Sequence, residues 1–216
     1  NLLKKFKVYG PIELVSAGSK QGKDGFPMYD EIKLPEDLIL LHNPTHLSPK
    51  KYIFPQRETL LRFRNGANKE MEPVVEADNQ VLFGIHSCDI HAIKLLDRVF
   101  AYGTPDINYL KKREKTVIIG IDCIPDKYCF CKSINTMTVD SGFDLFLHDI
   151  GTGFLVEIGT EKGEKLLSIY AKTRKAENKE ISKIAKFQNK KATMFTTSIN
   201  TEASSLPLLY SNSYNS

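Results

Sequence analysis

The stretch VLFGIHSCDIHAIKLLDRVF, residues 81–100, decides the fold that the sequence predicts. It opens with an apolar run, as in a strand that is buried on both faces. His86, Ser87, Cys88 and Asp89 follow as a tight turn, and apolar residues then recur at helical spacing. A strand, a tight turn and a helix in this order place a site at the carboxyl end of the strand in α/β folds.

Further elements follow the same logic. A second buried strand is predicted at residues 117–121 and is followed by Cys123. Residues 143–147 and 154–158 flank a Gly-Thr-Gly turn and are typical of a β-hairpin, after which Thr160 is expected to cap a helix. The sequence therefore predicts an α/β fold of the mixed α+β kind, with buried strands alternating with helices and a β-hairpin in one main domain.

The composition is that of a soluble protein able to bury a core. The chain has 216 residues, 41% of them hydrophobic, and 30 Lys and Arg against 26 Asp and Glu give a net charge of +4. This charge is spread along the chain apart from short Lys-rich stretches, which argues against nucleic acid as the main partner. The longest apolar runs are far shorter than the ~20 residues of a membrane-spanning helix. We therefore expect a cytoplasmic protein without a membrane span, and no signal peptide is visible.

The chain divides by pattern into two parts. Residues 1–192 contain the predicted strands and helices, including a Lys-rich helical stretch at 172–191. Residues 193–216 are rich in Ser, Thr and Asn and lack periodicity, which is typical of a connecting segment. We expect one main domain at 1–192 and a polar tail at 193–216 that packs on a neighbouring chain or domain.

Four cysteines, Cys88, Cys123, Cys129 and Cys131, carry the chemistry that the sequence indicates. In a chain of this size without a signal peptide, metal ligands or free thiols are favoured over disulfides. Cys88 and Cys123 follow neighbouring buried strands, and in an extended Cys-x-Cys pair both side chains point to the same side. Thiolates are soft ligands suited to iron–sulfur clusters, zinc and copper(I). We therefore expect all four to converge on one metal centre.

The spacing of the cysteines leaves several interpretations open. It lacks the C-x2-C knuckles of common zinc ribbons and the C-x2-C-x2-C run of bacterial ferredoxins. Four thiolates complete either a 4Fe–4S cluster or a tetrahedral zinc site, so a structural zinc module that docks subunits is the alternative to an electron-transfer protein. Inert buried thiols are a third interpretation. An enzyme with a reactive thiol would need a base and an electropositive pocket, which the pattern does not indicate.

Three basic side chains near the cysteines are candidates for contacting a bound centre. His86 is either a nitrogen ligand, a donor to a cluster sulfur or a histidine hydrogen-bonded within its turn. Lys127 and Lys132 either offset the negative charge of a thiolate-bound cluster or are solvated. Asp89 is expected to be the N-cap of the helix that follows. No catalytic residue and no nucleotide-binding motif is assigned, and the other histidines are interpreted as structural: His42, His46, His91 and His148.

Longer stretches resemble a known family. Residues 84–100, GIHSCDIHAIKLLDRVF, and 120–131, GIDCIPDKYCFC, are similar to the amino-terminal half of the beta subunit of cytoplasmic sulfhydrogenases. The same half resembles the iron–sulfur electron-transfer subunit of anaerobic sulfite reductases. Further matches occur in the same order: KKYIFPQRETLLRF at 50–63, GFDLFLHDIG at 142–151 and LVEIGTEKGEKLL at 155–167. Agreement in order over most of the chain is more specific than any one motif.

The resemblance implies an iron–sulfur electron-transfer subunit of a cytoplasmic anaerobic redox complex, of hydrogenase or sulfite reductase type. Such a subunit carries electrons between a flavin subunit and a catalytic subunit. In the family this half precedes a ferredoxin-like domain with two 4Fe–4S clusters, so a ferredoxin-like domain or chain is an expected partner and the polar tail would lead toward it. The resemblance carries over all four cysteines, and their ligation of one 4Fe–4S cluster is our inference.

Overall fold

The structure, a computed structural model, describes residues 2–13, 27–42, 44–45, 47–64 and 70–200. Its strands are β1 (Lys7–Glu13), β2 (Pro27–Glu31), β3 (Leu61–Arg64), β4 (Glu70–Pro73), β5 (Gln80–Ile85), β6 (Thr116–Ile121), β7 (Leu145–Asp149) and β8 (Phe154–Ile158). Six of these strands form a mixed sheet in the order β2-β1-β5-β6-β7-β8, and β3 pairs with β4 in a separate antiparallel hairpin.

Helices connect and cover these strands. The α-helices of the described residues are α1 (Ser87–Ala101), α2 (Ile107–Lys115), α3 (Glu161–Tyr170) and α4 (Asn178–Ala192). Short 3-10 helices lie at Leu2–Lys4, Pro35–Asp37 and Pro49–Tyr52. The mixed α+β prediction is confirmed. Within the described part of the chain, no helix is both long and apolar enough to span a bilayer.

The centre of the sheet is parallel. Strands β1, β5, β6 and β7 run in the same direction, and β2 and β8 close the two edges as antiparallel strands. Strands β5 and β6 are almost entirely buried, which explains why their sequences are apolar without alternation. Because they are parallel neighbours, their carboxyl ends at Ile85 and Ile121 lie at the same edge of the sheet.

Two apolar clusters hold the layers together, one on each face of the sheet. Alternate residues of a strand point to opposite faces, so Leu82 belongs to one cluster and Val81 to the other. Burying each of these aliphatic side chains contributes about 1.5–3 kcal/mol relative to leaving it exposed. The first cluster includes Leu82, Ile85, Ile118, Ile90 and Ile93 of α1 and Tyr109 of α2. The second includes Val81, Val117, Ile119, Leu145 and Leu166 of α3.

The predicted hairpin and the predicted cap of α3 are both present. Strands β7 and β8 pair in antiparallel register from Leu145 with Ile158 to Asp149 with Phe154. The Thr160 hydroxyl accepts a hydrogen bond from the Gly163 amide at 3.1 Å. It therefore satisfies one of the amides that a helix leaves unpaired at its amino terminus.

The prediction that Asp89 is an N-cap is wrong. Helix α1 begins two residues earlier, at Ser87, because the Ile90 amide already donates to the His86 carbonyl at 3.1 Å. His86 is the N-cap, and its side chain makes no capping hydrogen bond. The Asp89 carboxylate lies in the first turn and accepts hydrogen bonds from Ser48 at 2.7 Å and Lys50 at 3.0 Å. Its position suits the positive end of the helix dipole.

The beginning of the polar tail lies on this chain. The Thr197 hydroxyl donates to the Lys127 carbonyl at 2.6 Å, and the Ile199 amide donates to the Ser133 hydroxyl at 3.2 Å. Residues 201–216 lie outside the described residues, as does His46. A division of the chain at residue 192 and a partner for the tail therefore stay predictions.

Candidate metal centre

Two adjacent parallel strands place the first two cysteines. Cys88 lies in the first turn of α1, directly after β5, and Cys123 lies two residues beyond the end of β6. The loop after β6 then supplies Cys129 and Cys131. This loop turns at Asp126, whose side chain accepts from the Tyr128 amide and whose carbonyl accepts from the Cys129 amide. The chain reversal brings the Cys-x-Cys pair back toward the ends of the strands.

All four cysteines line one small cavity. Its volume of about 10 Å³ is that of a single water molecule. Other residues complete its wall: Ser87, Pro125, Thr136, Met137, Lys191 and Phe195. The structure therefore brings together four thiols that are up to 43 residues apart in the sequence (88 to 131).

The cysteine cavity has the donor chemistry of a metal centre without its final geometry. No three His, Cys, Asp or Glu side chains of the described residues form a group that could hold a metal ion as they stand. Binding a zinc ion or a 4Fe–4S cluster therefore requires the thiols to reorient, and a cluster also requires them to move outward from the water-sized space. Four soft sulfur donors in one place fit either group.

An unpaired hydroxyl also points to a bound group. Ser87 is 2% exposed, its Oγ atom has no hydrogen-bond partner, and it lines the cysteine cavity. A buried hydroxyl without a partner loses about 1–3 kcal/mol. A sulfur atom or anion held in this cavity would give the Ser87 hydroxyl an acceptor.

The four thiols are not electrostatically equivalent. A hydrogen bond between Cys88 and Cys131, together with burial, raises the pKa of Cys88 above its ordinary value. The same hydrogen bond lowers the pKa of Cys131 to about 6. Burial raises the pKa of Cys129 to about 12 and also raises that of Cys123. Near neutral pH, Cys131 is therefore the thiolate of the set, and ligation by all four must release protons.

A buried lysine lies among these thiols. Lys191, in the last turn of α4, is 1% exposed, and its Nζ atom donates to the Met137 carbonyl at 3.1 Å. Its ammonium also forms a hydrogen bond with Cys123, which opposes the rise in the pKa of Cys123 caused by burial. The positive charge of Lys191 contributes to the lowered pKa of Cys131 as well, after the hydrogen bond from Cys88.

Two stacked histidines lie behind the cysteines. The rings of His42 and His86 are 4.3 Å apart and nearly parallel, and the Nε2 atoms of both lack hydrogen-bond partners. Burial, followed by the charges of His42 and Lys191, lowers the pKa of His86 to about 3, so its ring is neutral. His42 also borders a second cavity of about 330 Å³, of which Cys123 forms part of the wall. The prediction that His86 contacts a bound centre stays untested.

The comparison with known proteins gives one relative. Subunit beta of sulfhydrogenase 2 from Pyrococcus furiosus is 35% identical to this chain over 201 residues. The match covers 91% of this chain and 55% of the relative, in its amino-terminal half. The chain is a homologue of the amino-terminal half of a sulfhydrogenase beta subunit. No family model and no solved structure matches the chain.

The relation to the sulfhydrogenase subunit confirms the resemblance that the sequence motifs indicate. The chain spans about half the length of this relative, so the relative's function as a whole protein is not transferred by the match alone. What the match does establish is common descent over nearly the whole described chain, including the loop that carries three of the cysteines.

The two lysines proposed from the sequence lie outside the cavity wall in this sulfhydrogenase homologue. Lys132 donates through its Nζ atom to the Ala192 carbonyl at 2.9 Å, and Lys127 lies over the Tyr128 ring. Both side chains are exposed. Lys132 therefore ties the cysteine loop to the carboxyl end of α4, and a contact of either lysine with a bound centre stays a prediction.

The sequence reasoning missed Lys191, His42 and Phe195. Lys191 was hidden in a Lys-rich stretch that has the composition of a solvated helix, yet it continues the inward face of α4 at helical spacing from Ile184 and Phe187. That spacing is a signal from which its burial could have been found. No comparable pattern marks His42 or Phe195, because both reach the site through tertiary packing of irregular segments.

Proposed function

We propose that this chain binds an iron–sulfur cluster through Cys88, Cys123, Cys129 and Cys131 and serves as an electron-transfer subunit of a hydrogenase-type redox complex. The observation that carries the proposal is the convergence of all four thiols on one cavity at the carboxyl edge of the parallel strands. The relation to a sulfhydrogenase beta subunit supports the redox role. When bound, a 4Fe–4S cluster would supply reversible electron transfer.

The residues of the chain account for binding and environment in this proposal. Cys131 is the first thiolate available, and the remaining thiols lose their protons as they become ligands. The Ser87 hydroxyl supplies a hydrogen-bond donor in the wall of the cavity. Phe195 and Met137 contribute apolar surface that limits the access of water.

The surface of the cysteine loop suits a subunit interface. Ile124, Tyr128, Phe130 and Ile134 are all exposed, with Tyr128 exposed over 71% of its surface. Aromatic and aliphatic side chains of this kind are enriched in the centres of protein interfaces. In the proposal this loop is covered by another subunit of a cytoplasmic anaerobic complex, which comprises a flavin subunit, a catalytic subunit and a ferredoxin-like domain or chain.

A structural zinc site is the second candidate, and the size of the cavity favours it. A volume of about 10 Å³ is closer to the space of one ion than to that of a cubane cluster. In this alternative the four thiolates hold zinc and the loop docks subunits without transferring electrons.

Metal analysis of the full chain separates these candidates. The chain is purified without oxygen, and iron, acid-labile sulfide and zinc are measured together with the visible spectrum. The proposal predicts a brown protein with about four iron atoms per chain, and loss of that iron in Cys123→Ser and Cys129→Ser. Thr138→Ala, an exposed position of the same loop outside the cavity wall, is the control and should retain the iron. A colourless protein with one zinc ion would refute the electron-transfer proposal.

An activity measurement tests the subunit role. The isolated chain is compared with the reconstituted complex for electron transfer to an artificial dye. Full turnover of hydrogen or sulfite by the isolated chain would contradict the proposal, because the chain is expected to need a catalytic partner.

A further inference from the structure

The burial of Lys191 demands an anionic partner. An ammonium that is 1% exposed has lost nearly all its hydration, and transfer of an unpaired charge into a protein interior costs several kcal/mol. The Met137 carbonyl at 3.1 Å supplies one neutral acceptor. The ionisable groups that Lys191 faces on the opposite side are the thiols of Cys123 and Cys131.

The position of Lys191 is held from both sides of the cavity. Helix α4 places it in its last turn, where a cation also interacts favourably with the helix dipole. Its bond to Met137 fixes the ammonium against the segment that follows the Cys-x-Cys pair. Lys191, Cys123 and Cys131 line the same cavity, so the ammonium is part of the wall and not a neighbour at the rim.

We infer that Lys191 is the cationic partner of the cysteine site, where it offsets the negative charge of a thiolate-bound centre and raises its reduction potential. The inference rests on the proposed iron–sulfur function. Four thiolates give a bound centre a net negative charge, and one-electron reduction makes that charge more negative. A fixed ammonium within the wall stabilises the reduced form more than the oxidised form, because the Coulomb energy grows with the charge that it faces.

The matched pair Lys191→Met and Lys190→Met tests this role. Both substitutions remove one positive charge from the last turn of α4, but Lys190 is exposed. Each full-length variant is loaded with iron and sulfide without oxygen, and its midpoint potential is measured by a redox titration of the visible spectrum. We expect Lys191→Met to disfavour reduction at least tenfold, which is about 59 mV for one electron. Lys190→Met should match the wild type, and Lys191→Arg should restore most of the shift.

The outcomes distinguish the inference from the proposed function. A wild-type chain that takes up no cluster refutes the proposed function. A loaded Lys191→Met chain with an unchanged potential refutes only the role of Lys191, and shows that the lysine merely secures the loop around Met137. Iron content and the far-ultraviolet circular dichroism spectrum are measured for every variant, and Lys191→Gln replaces Lys191→Met if the latter does not fold.

Cobalt binding tests the charge role without a cluster. The reduced apo chain is titrated with Co²⁺, whose thiolate complexes absorb visible light. Lys191→Met should weaken Co²⁺ binding at least tenfold, whereas Lys190→Met should not change it. Equal Co²⁺ affinities in all three chains would overturn the inference, and so would a wild-type chain that binds neither cobalt nor iron.

Discussion

Replacing Gly163 with alanine tests how closely helix α3 packs on the sheet. A β-carbon at this position would lie 2.0 Å from the Asp144 carbonyl oxygen and 2.6 Å from its carbonyl carbon. Both atoms belong to the backbone, so no side chain can rotate away. Overpacking of this kind costs about 3 kcal/mol, at the upper end of its usual range. The better helix propensity of alanine returns about 1 kcal/mol, so we expect a net loss of about 2 kcal/mol in the free energy of unfolding.

Urea denaturation of the full chain measures this loss. Any outward shift of α3 would also lengthen the bond of 2.6 Å that the Thr160 hydroxyl donates to the Asp144 carboxylate, which adds to the cost. Ser168→Ala, an exposed position of the same helix, is the matched control and should gain a few tenths of a kcal/mol from propensity alone. If Gly163→Ala stabilised the chain as Ser168→Ala does, the close approach of α3 to residue 144 would be refuted.

Three further predictions concern hydrogen bonds and protonation. Burial lowers the pKa of His148, but its carboxylate partners raise it overall above 6.5, so its stabilising charge is complete below 6.5 and is lost as pH rises through the folded pKa. His148→Gln should therefore reduce the excess stability at pH 6 over pH 8 in urea denaturation, and an unchanged difference would contradict this. Tyr29→Phe should cost about 1–2 kcal/mol, because the buried hydroxyl donates to the Gly84 carbonyl at 2.5 Å; thermal melts that coincide would argue against it. Iodoacetamide at pH 7 should modify Cys131 of the apo chain first, and Cys88→Ala should slow that reaction by removing the hydrogen bond that lowers its pKa; mass spectrometry showing Cys129 modified first would be the contrary result.

Much of the fold was predictable because its central elements carry local signals. The apolar runs of β5 and β6, the helical spacing of α1 and the turn between β7 and β8 are properties of short segments. Element boundaries were less certain. Asp89 has the residue type of an N-cap, but α1 begins earlier because the amide of Ile90 reaches the His86 carbonyl, a choice that depends on how the preceding strand ends.

The cysteines show which part of the site local reasoning could reach. Cys88 and Cys123 each follow a predicted strand, and parallel neighbouring strands end at the same edge, so their meeting follows from two local predictions and one general rule of topology. The order of the strands in the sheet, and the fold of the loop after β6 that returns Cys129 and Cys131, were supplied by the tertiary structure.

The sequence by itself therefore determined the class of fold, the identity of the four thiols and the family to which their pattern is similar. Only the tertiary structure decided what surrounds the thiols. Lys191 is separated from Cys131 by 60 positions, and its charge becomes part of the site because α4 packs its inward face against the cysteine loop. A lysine in a charged stretch has no local feature that requires burial, since that cost is offset only by groups that folding brings to it from elsewhere in the chain.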